Sequence, residues 1–161
     1  MQATEGMERV KDRQIVVTRV IAGRRDLVFR AWTETRHLAR WFGPHGFTTT
    51  TRVFEFRPGS VWDFDMVGPD GTVYPNYIEW QAIVRPERIV YRQGAVADDP
   101  DAFETTVTFA EHAGGTEVTL RTVFKTKAQR DYVAEHYRAV EGGHETLERL
   151  AAVVEDLGAH A

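Results

Sequence analysis

Apolar and polar residues alternate through much of positions 14–124, and helical three- and four-residue steps appear in a short stretch after residue 23 and again in the last part of the chain. Gln14–Ile21 is rich in β-branched residues and reads as a strand. After Ala22-Gly23, two stretches at helical spacing follow: residues 24–33, carrying Leu27, Val28, Ala31 and Trp32, and residues 35–42, carrying Leu38, Trp41 and Phe42. Gly43-Pro44 closes them. Six further strands are predicted at 47–56, 61–67, 72–84, 88–93, 103–111 and 116–124. They are separated by Arg57-Pro58-Gly59, Gly68-Pro69-Asp70-Gly71, Arg85-Pro86-Glu87, Gly94 with the loop 95–102, and Ala113-Gly114-Gly115. Thr126 with Gln129 fits a capping box, and Val133, Tyr137, Val140, His144, Leu147, Ala151 and Val154 then trace one stripe of a long helix. Gly142-Gly143 interrupts that stripe. Each glycine costs a helix interior about 1 kcal/mol relative to alanine, so the pair points to close approach of another backbone, a kink, or room left for something else.

The order β-α-α-β₆-α predicts an α+β domain: a curved antiparallel sheet of six to seven strands, two short helices and a long C-terminal helix. Residues 14–158 form the domain and residues 1–13 a flexible polar leader. A straight helix of roughly 30 residues, about 45 Å long, cannot follow a curved sheet along its whole length, so a cavity is expected where the two diverge.

Composition narrows the chemistry. The 161 residues suffice for one domain, and four Trp, nine Phe and five Tyr can supply a substantial core. A net charge of −4 offers no basic face for nucleic acid or for an anionic membrane. With no cysteine there is no disulfide, thiolate nucleophile or zinc–thiolate site. Without an apolar leader or a membrane-length apolar run, a cytoplasmic protein is expected.

Trp62, Phe64 and Met66 share one face of their strand, Asp63 and Asp65 the other. The strict alternation makes the aspartates a solvent face rather than an acid/base pair. The apolar three are either core or ligand wall. With Trp80 and Tyr91 from neighbouring strands, and Tyr137, Val140 and His144 from the last helix, they make the expected cavity lining. The six histidines show no metal-binding spacing; His136 and His144 lie eight residues apart, too far for one ion, and His45 sits in a turn. Glu79 is either a buried acid or, as preferred, an outward residue. The one serine, Ser60, lacks a nucleophile-elbow context, and no phosphate loop is present. No catalytic residue, metal or cofactor is therefore assigned. The expected partner is a small hydrophobic molecule, and an exposed strand edge makes a homodimer plausible.

Several motifs carry a family resemblance: residues 27–33 (LVFRAWT), 37–44 (HLARWFGP) with Gly46-Phe47, Pro58-Gly59 with Trp62, residues 68–71 (GPDG), 86–91 (PERIVY), and 141–147 (EGGHETL) with Arg149-Leu150. Together they resemble the START-like (SRPBCC, helix-grip, Bet v 1-like) superfamily. Within it they are similar to bacterial proteins related to the C-terminal domain of the activator of the Hsp90 ATPase. The resemblance spans roughly residues 14–157 and implies the helix-grip fold. Many relatives carry a Gly-Trp pair near the middle of the last helix, where this chain has Gly142-Gly143-His144. That superfamily holds hydrophobic-ligand binders, cyclases and co-chaperone domains, so the resemblance leaves function open. Ligand binding is the leading expectation. The alternatives are a polyketide cyclase/dehydratase-type enzyme using His144, Glu79 or a pocket tyrosine, and an activator of a chaperone ATPase.

Overall fold

The computed structural model describes residues 9–159. The flexible leader expected at 1–13 therefore lies, for residues 1–8, outside the described residues. Val10–Asp12 form a single 3-10 turn, and Arg13 Nη1 donates to the Phe124 carbonyl at 2.8 Å.

Seven strands form one antiparallel sheet: β1 (Gln14–Ile21), β2 (Thr48–Phe54), β3 (Val61–Val67), β4 (Val73–Val84), β5 (Arg88–Gly94), β6 (Phe103–His112) and β7 (Gly115–Val123). Their order across the sheet is β1-β7-β6-β5-β4-β3-β2. The first strand thus closes against the last, and β1 and β2 are the two edges. Register shifts between Thr51 and Val53 in β2 and between Trp80 and Ala82 in β4 insert bulges, which bend and twist the strands into a cup. The β6–β7 turn is Ala113-Gly114, both at positive φ (47° and 83°), the two-residue geometry whose twist matches paired strands.

The short helices α1 (Arg25–Arg30) and α2 (Thr35–Trp41) plug one part of the concave face. Val28, Phe29, Trp32, Leu38 and Trp41 are all essentially inaccessible. The Trp32 and Trp41 rings meet edge to face at 4.7 Å, and Trp41 Nε1 donates to the Ala31 carbonyl at 3.0 Å. Arg149 closes the end of α2: its guanidinium donates to the carbonyls of Arg40, Gly43 and Pro44 at 2.8–2.9 Å, supplying partners that a helix C-terminus otherwise lacks.

The chain ends in the expected long helix, α4 (Ala139–Ala159), but the segment before it forms a helix of its own, α3 (Lys127–His136), rather than its first turns. Thr126 Oγ1 accepts from Gln129 N at 3.0 Å, as the capping box requires, while Gln129 Oε1 reaches back to Lys125 N, one residue earlier than the usual box. The break falls at Tyr137-Arg138, with Arg138 at φ +52°, and not at the glycines. Gly142 and Gly143 lie inside α4 and serve close approach. A Cβ on Gly143 would come within 2.9 Å of a Val17 methyl of β1, and one on Gly142 within 3.3 Å of Pro44.

Candidate functional site

Where α3 turns into α4, the helices, the loop after α2 and the far ends of β3, β4 and β6 leave an open cleft of about 550 Å³. Its walls are largely apolar: Phe47 from the loop, Met66 from β3, Tyr74 from β4, Phe103 from β6, and Val133 and Tyr137 from the helical side. Two local rules aim these side chains. The tight Gly68–Gly71 turn sets the β3–β4 register so that Met66 pairs with Tyr74. Phe103 falls in phase with the buried Thr105, Val107 and Phe109, so it shares their concave face. Phe47 leans on Tyr74, with ring centroids 5.9 Å apart. A smaller cavity of about 170 Å³ lies alongside, lined by Val17, Leu120 and Gly143 among others, and Phe103 and Val133 border both spaces.

Polar groups sit at specific points of the cleft. Asn76 accepts from the buried Gln93 amide at 2.7 Å and donates to the Tyr74 carbonyl at 3.0 Å, so its amide is fixed on both sides. His45 is held by two carboxylates of α4. Glu145 Oε1 accepts from the His45 backbone amide at 3.0 Å, and Glu148 Oε1 lies 2.5 Å from Nε2. Arg138 and Glu141 complete the rim. The arrangement suits an apolar body with a polar end.

Of the residues expected to line a cavity, Met66 and Tyr137 do so here. Trp62, Phe64, Trp80 and Tyr91 do not border this cleft: they are buried core. Phe42, just past α2, lies edge to face on both Trp62 (5.0 Å) and Phe64 (5.8 Å). Phe56 packs on Trp80 at 4.9 Å, and Trp32 and Trp80 flank Tyr91. The space that strand alternation left in front of these rings is filled by Trp32 and Phe42, just past α1 and α2, and by Phe54 and Phe56. Burial pushes the Tyr91 phenol above its usual range, with Thr105 partly opposing, so it stays neutral.

Val140 and His144 are exposed and lie outside the cleft. α4 buries Leu147, Leu150, Val153 and Val154, and His144 falls about 100° round the helix from Gly143, which packs on Val17. Gly143, one turn before Leu147, takes the inward place assigned to His144.

Other candidates resolve into surface pairs. Asp63 and Asp65 grip Arg52, the bulged residue of β2, at 2.7 and 2.8 Å. Glu79 pairs with Arg92 at 3.4 Å. Among the described residues no group of three metal-ligating side chains could hold an ion, and no helix is long and apolar enough to cross a membrane.

Comparison with known proteins places this geometry. No curated protein matches the chain. Solved structures match along almost its whole length. A protein of Arthrobacter aurescens superposes with a TM-score of 0.82 at 24% identity, covering 93% of this chain and 90% of its own. One of Nitrosomonas europaea gives 0.82 at 22%, covering 92% and 97%. One of Chromobacterium violaceum gives 0.76 at 23%, covering 89% and 97%. At such identities these similarities speak for the fold. The family described as activator of Hsp90 ATPase homolog 1-like protein matches residues 22–155, from the end of β1 to the last turns of α4. With its helix-grip architecture and a family match over most of its length, the chain belongs to the activator of Hsp90 ATPase homolog 1-like family.

Proposed function

We propose that the domain binds a small apolar or aromatic molecule in the cleft at the α3–α4 junction. The observation that carries this reading is the cleft itself: about 550 Å³, within the range of small-molecule sites, with six apolar or aromatic side chains converging from five segments of the fold. Tyr137, 57% exposed, closes one side without being needed for the core. A neutral fluorescent probe such as Nile red reports on this space. Replacing Tyr137 with alanine should weaken probe binding about tenfold, the cost of losing the aromatic area that a bound molecule would cover. Equal affinity in wild type and variant would remove the cleft from the reading. Native mass spectrometry of protein purified from its own host would then show a retained small molecule and its chemical class.

The family description motivates a second reading, an activator-type domain acting on a chaperone ATPase. Its test is the ATPase rate of a purified Hsp90-type chaperone with and without this protein; no stimulation removes it.

A further inference from the structure

On the opposite, convex side of the sheet, where the ends of β5, β6 and β7 meet the segment leading into β1, lies a second cleft of about 500 Å³. Among the described residues, four cationic side chains line it, Arg13, Arg92, Arg121 and Lys125, against one carboxylate, Glu104. This is a local excess of positive charge on a chain whose net charge is −4.

The cations are held mostly by neutral oxygens. Arg121 Nε donates to the Gln14 amide oxygen at 2.7 Å, Lys125 Nζ to the Pro100 carbonyl at 3.3 Å, and Arg92 Nη2 to the Asp99 carbonyl at 2.6 Å. Such contacts fix the side chains without cancelling their charge. Of the carboxylates close by, one is engaged in its own loop and one pairs with Arg92. Asp99 accepts from the amides of Ala95 and Asp101 in its own loop, and Glu79 sits 3.4 Å from Arg92 Nη1, outside the lining. Among the described residues Glu104 forms no ion pair, although it pairs in register with Arg92. Phe103 and Phe124, with ring centroids 5.3 Å apart, supply an apolar side to the same cleft.

We propose that this cleft is a binding site for a small multivalent anion, an oligophosphate or a polycarboxylate, recognised by the guanidinium forks of Arg92 and Arg121 and the ammonium of Lys125. Planar guanidinium groups match both anion types bidentately, and a compact ammonium adds an undirected charge. The site borders the cleft at the α3–α4 junction only through Phe103, which lines both, and does not rest on ligand binding there.

Calorimetric titration with inorganic pyrophosphate and with citrate tests it. Saturable binding of pyrophosphate alone assigns an oligophosphate site, of citrate alone a polycarboxylate site, and of both a site that reads charge. In each case Arg121→Gln and Lys125→Gln should each weaken binding about tenfold, the loss of one charge-assisted hydrogen bond, and Glu104→Gln should tighten it. All three positions are exposed, so the variants keep the fold. Nile red binding at the other cleft should be the same in all three. No saturable heat with either anion, or affinities unmoved by the three substitutions, overturns the proposal.

Discussion

At Gly143 the α4 backbone passes so close to β1 that an alanine methyl would lie 2.9 and 3.1 Å from the two methyls of Val17. Valine is stiff at χ1, so it cannot swing aside. Gly143→Ala should therefore destabilise by about 1–3 kcal/mol despite its better helix propensity. The adjacent Gly142→Ala meets only the edge of Pro44 at 3.3 Å, and the propensity gain of about 1 kcal/mol should leave it near neutral. Urea unfolding of the two variants checks this contrast.

His37 gives a second residue-scale expectation. It is buried in α2, and burial holds its imidazole below the ordinary value of 6.5; nearby Glu34 pulls upward, and Arg36, Arg30 and Arg40 push further down. The unfolded chain thus takes up the proton first, so stability is fully present above about pH 6.5 and declines as pH falls through the folded value. Carboxylates held low, such as Asp99 and Asp70, lose their contribution only below their ordinary 3.8. The urea midpoint should drop between pH 7.5 and 5.5 in the wild type and drop less in His37→Gln. An identical drop in both would remove His37 as its source.

At the scale of elements, the junction between α3 and α4 is decided by one residue. Arg138 adopts φ +52°, where a side chain with a Cβ costs about 1–2 kcal/mol. Arg138→Gly should stabilise the domain by about 1 kcal/mol, and Arg138→Val should destabilise it. Thermal melts read both. If glycine brings no gain, the left-handed turn is not where the strain lies. A hydropathy stripe running unbroken from Val133 to Val154 does not reveal this break. An arginine has no compositional mark of a left-handed turn, whereas Gly142-Gly143, which does look like a break, is helical. Strands were far more legible: Gln14–Ile21 and Val61–Val67 coincide with their predicted limits, because alternation and turn residues are both local signals.

For the whole molecule, the division between core and cleft sorts the aromatic residues. Trp62→Ala should cost about 3–5 kcal/mol, because Trp62 is fully buried beneath Phe42 and Phe54. Tyr137→Ala should leave stability within about 0.5 kcal/mol and act on ligand affinity instead. Denaturant midpoints and Nile red titration, measured on both variants, separate the two roles. A Tyr137→Ala protein as unstable as Trp62→Ala would make Tyr137 a structural residue.

The pattern of side chains alone determined the antiparallel sheet, its turns, the two short helices, the capped start of the final helical segment and the outward place of Asp63 and Asp65. Each depends on neighbours a few residues away, and periodicity records them. Only the tertiary structure decided which apolar residues border empty space. Trp62, Phe64, Trp80 and Tyr91 have the alternation of a cavity wall, yet Trp32, Phe42, Phe54 and Phe56 cover them. Met66 and Phe103 share the same concave phase and are left beside an opening. Strand phase says which side of the sheet a residue faces, but whether that side is filled depends on elements distant in sequence. The convex cleft is non-local for the same reason: Arg13, Arg92, Arg121 and Lys125 come together through the pairing order of strands, which no local spacing encodes.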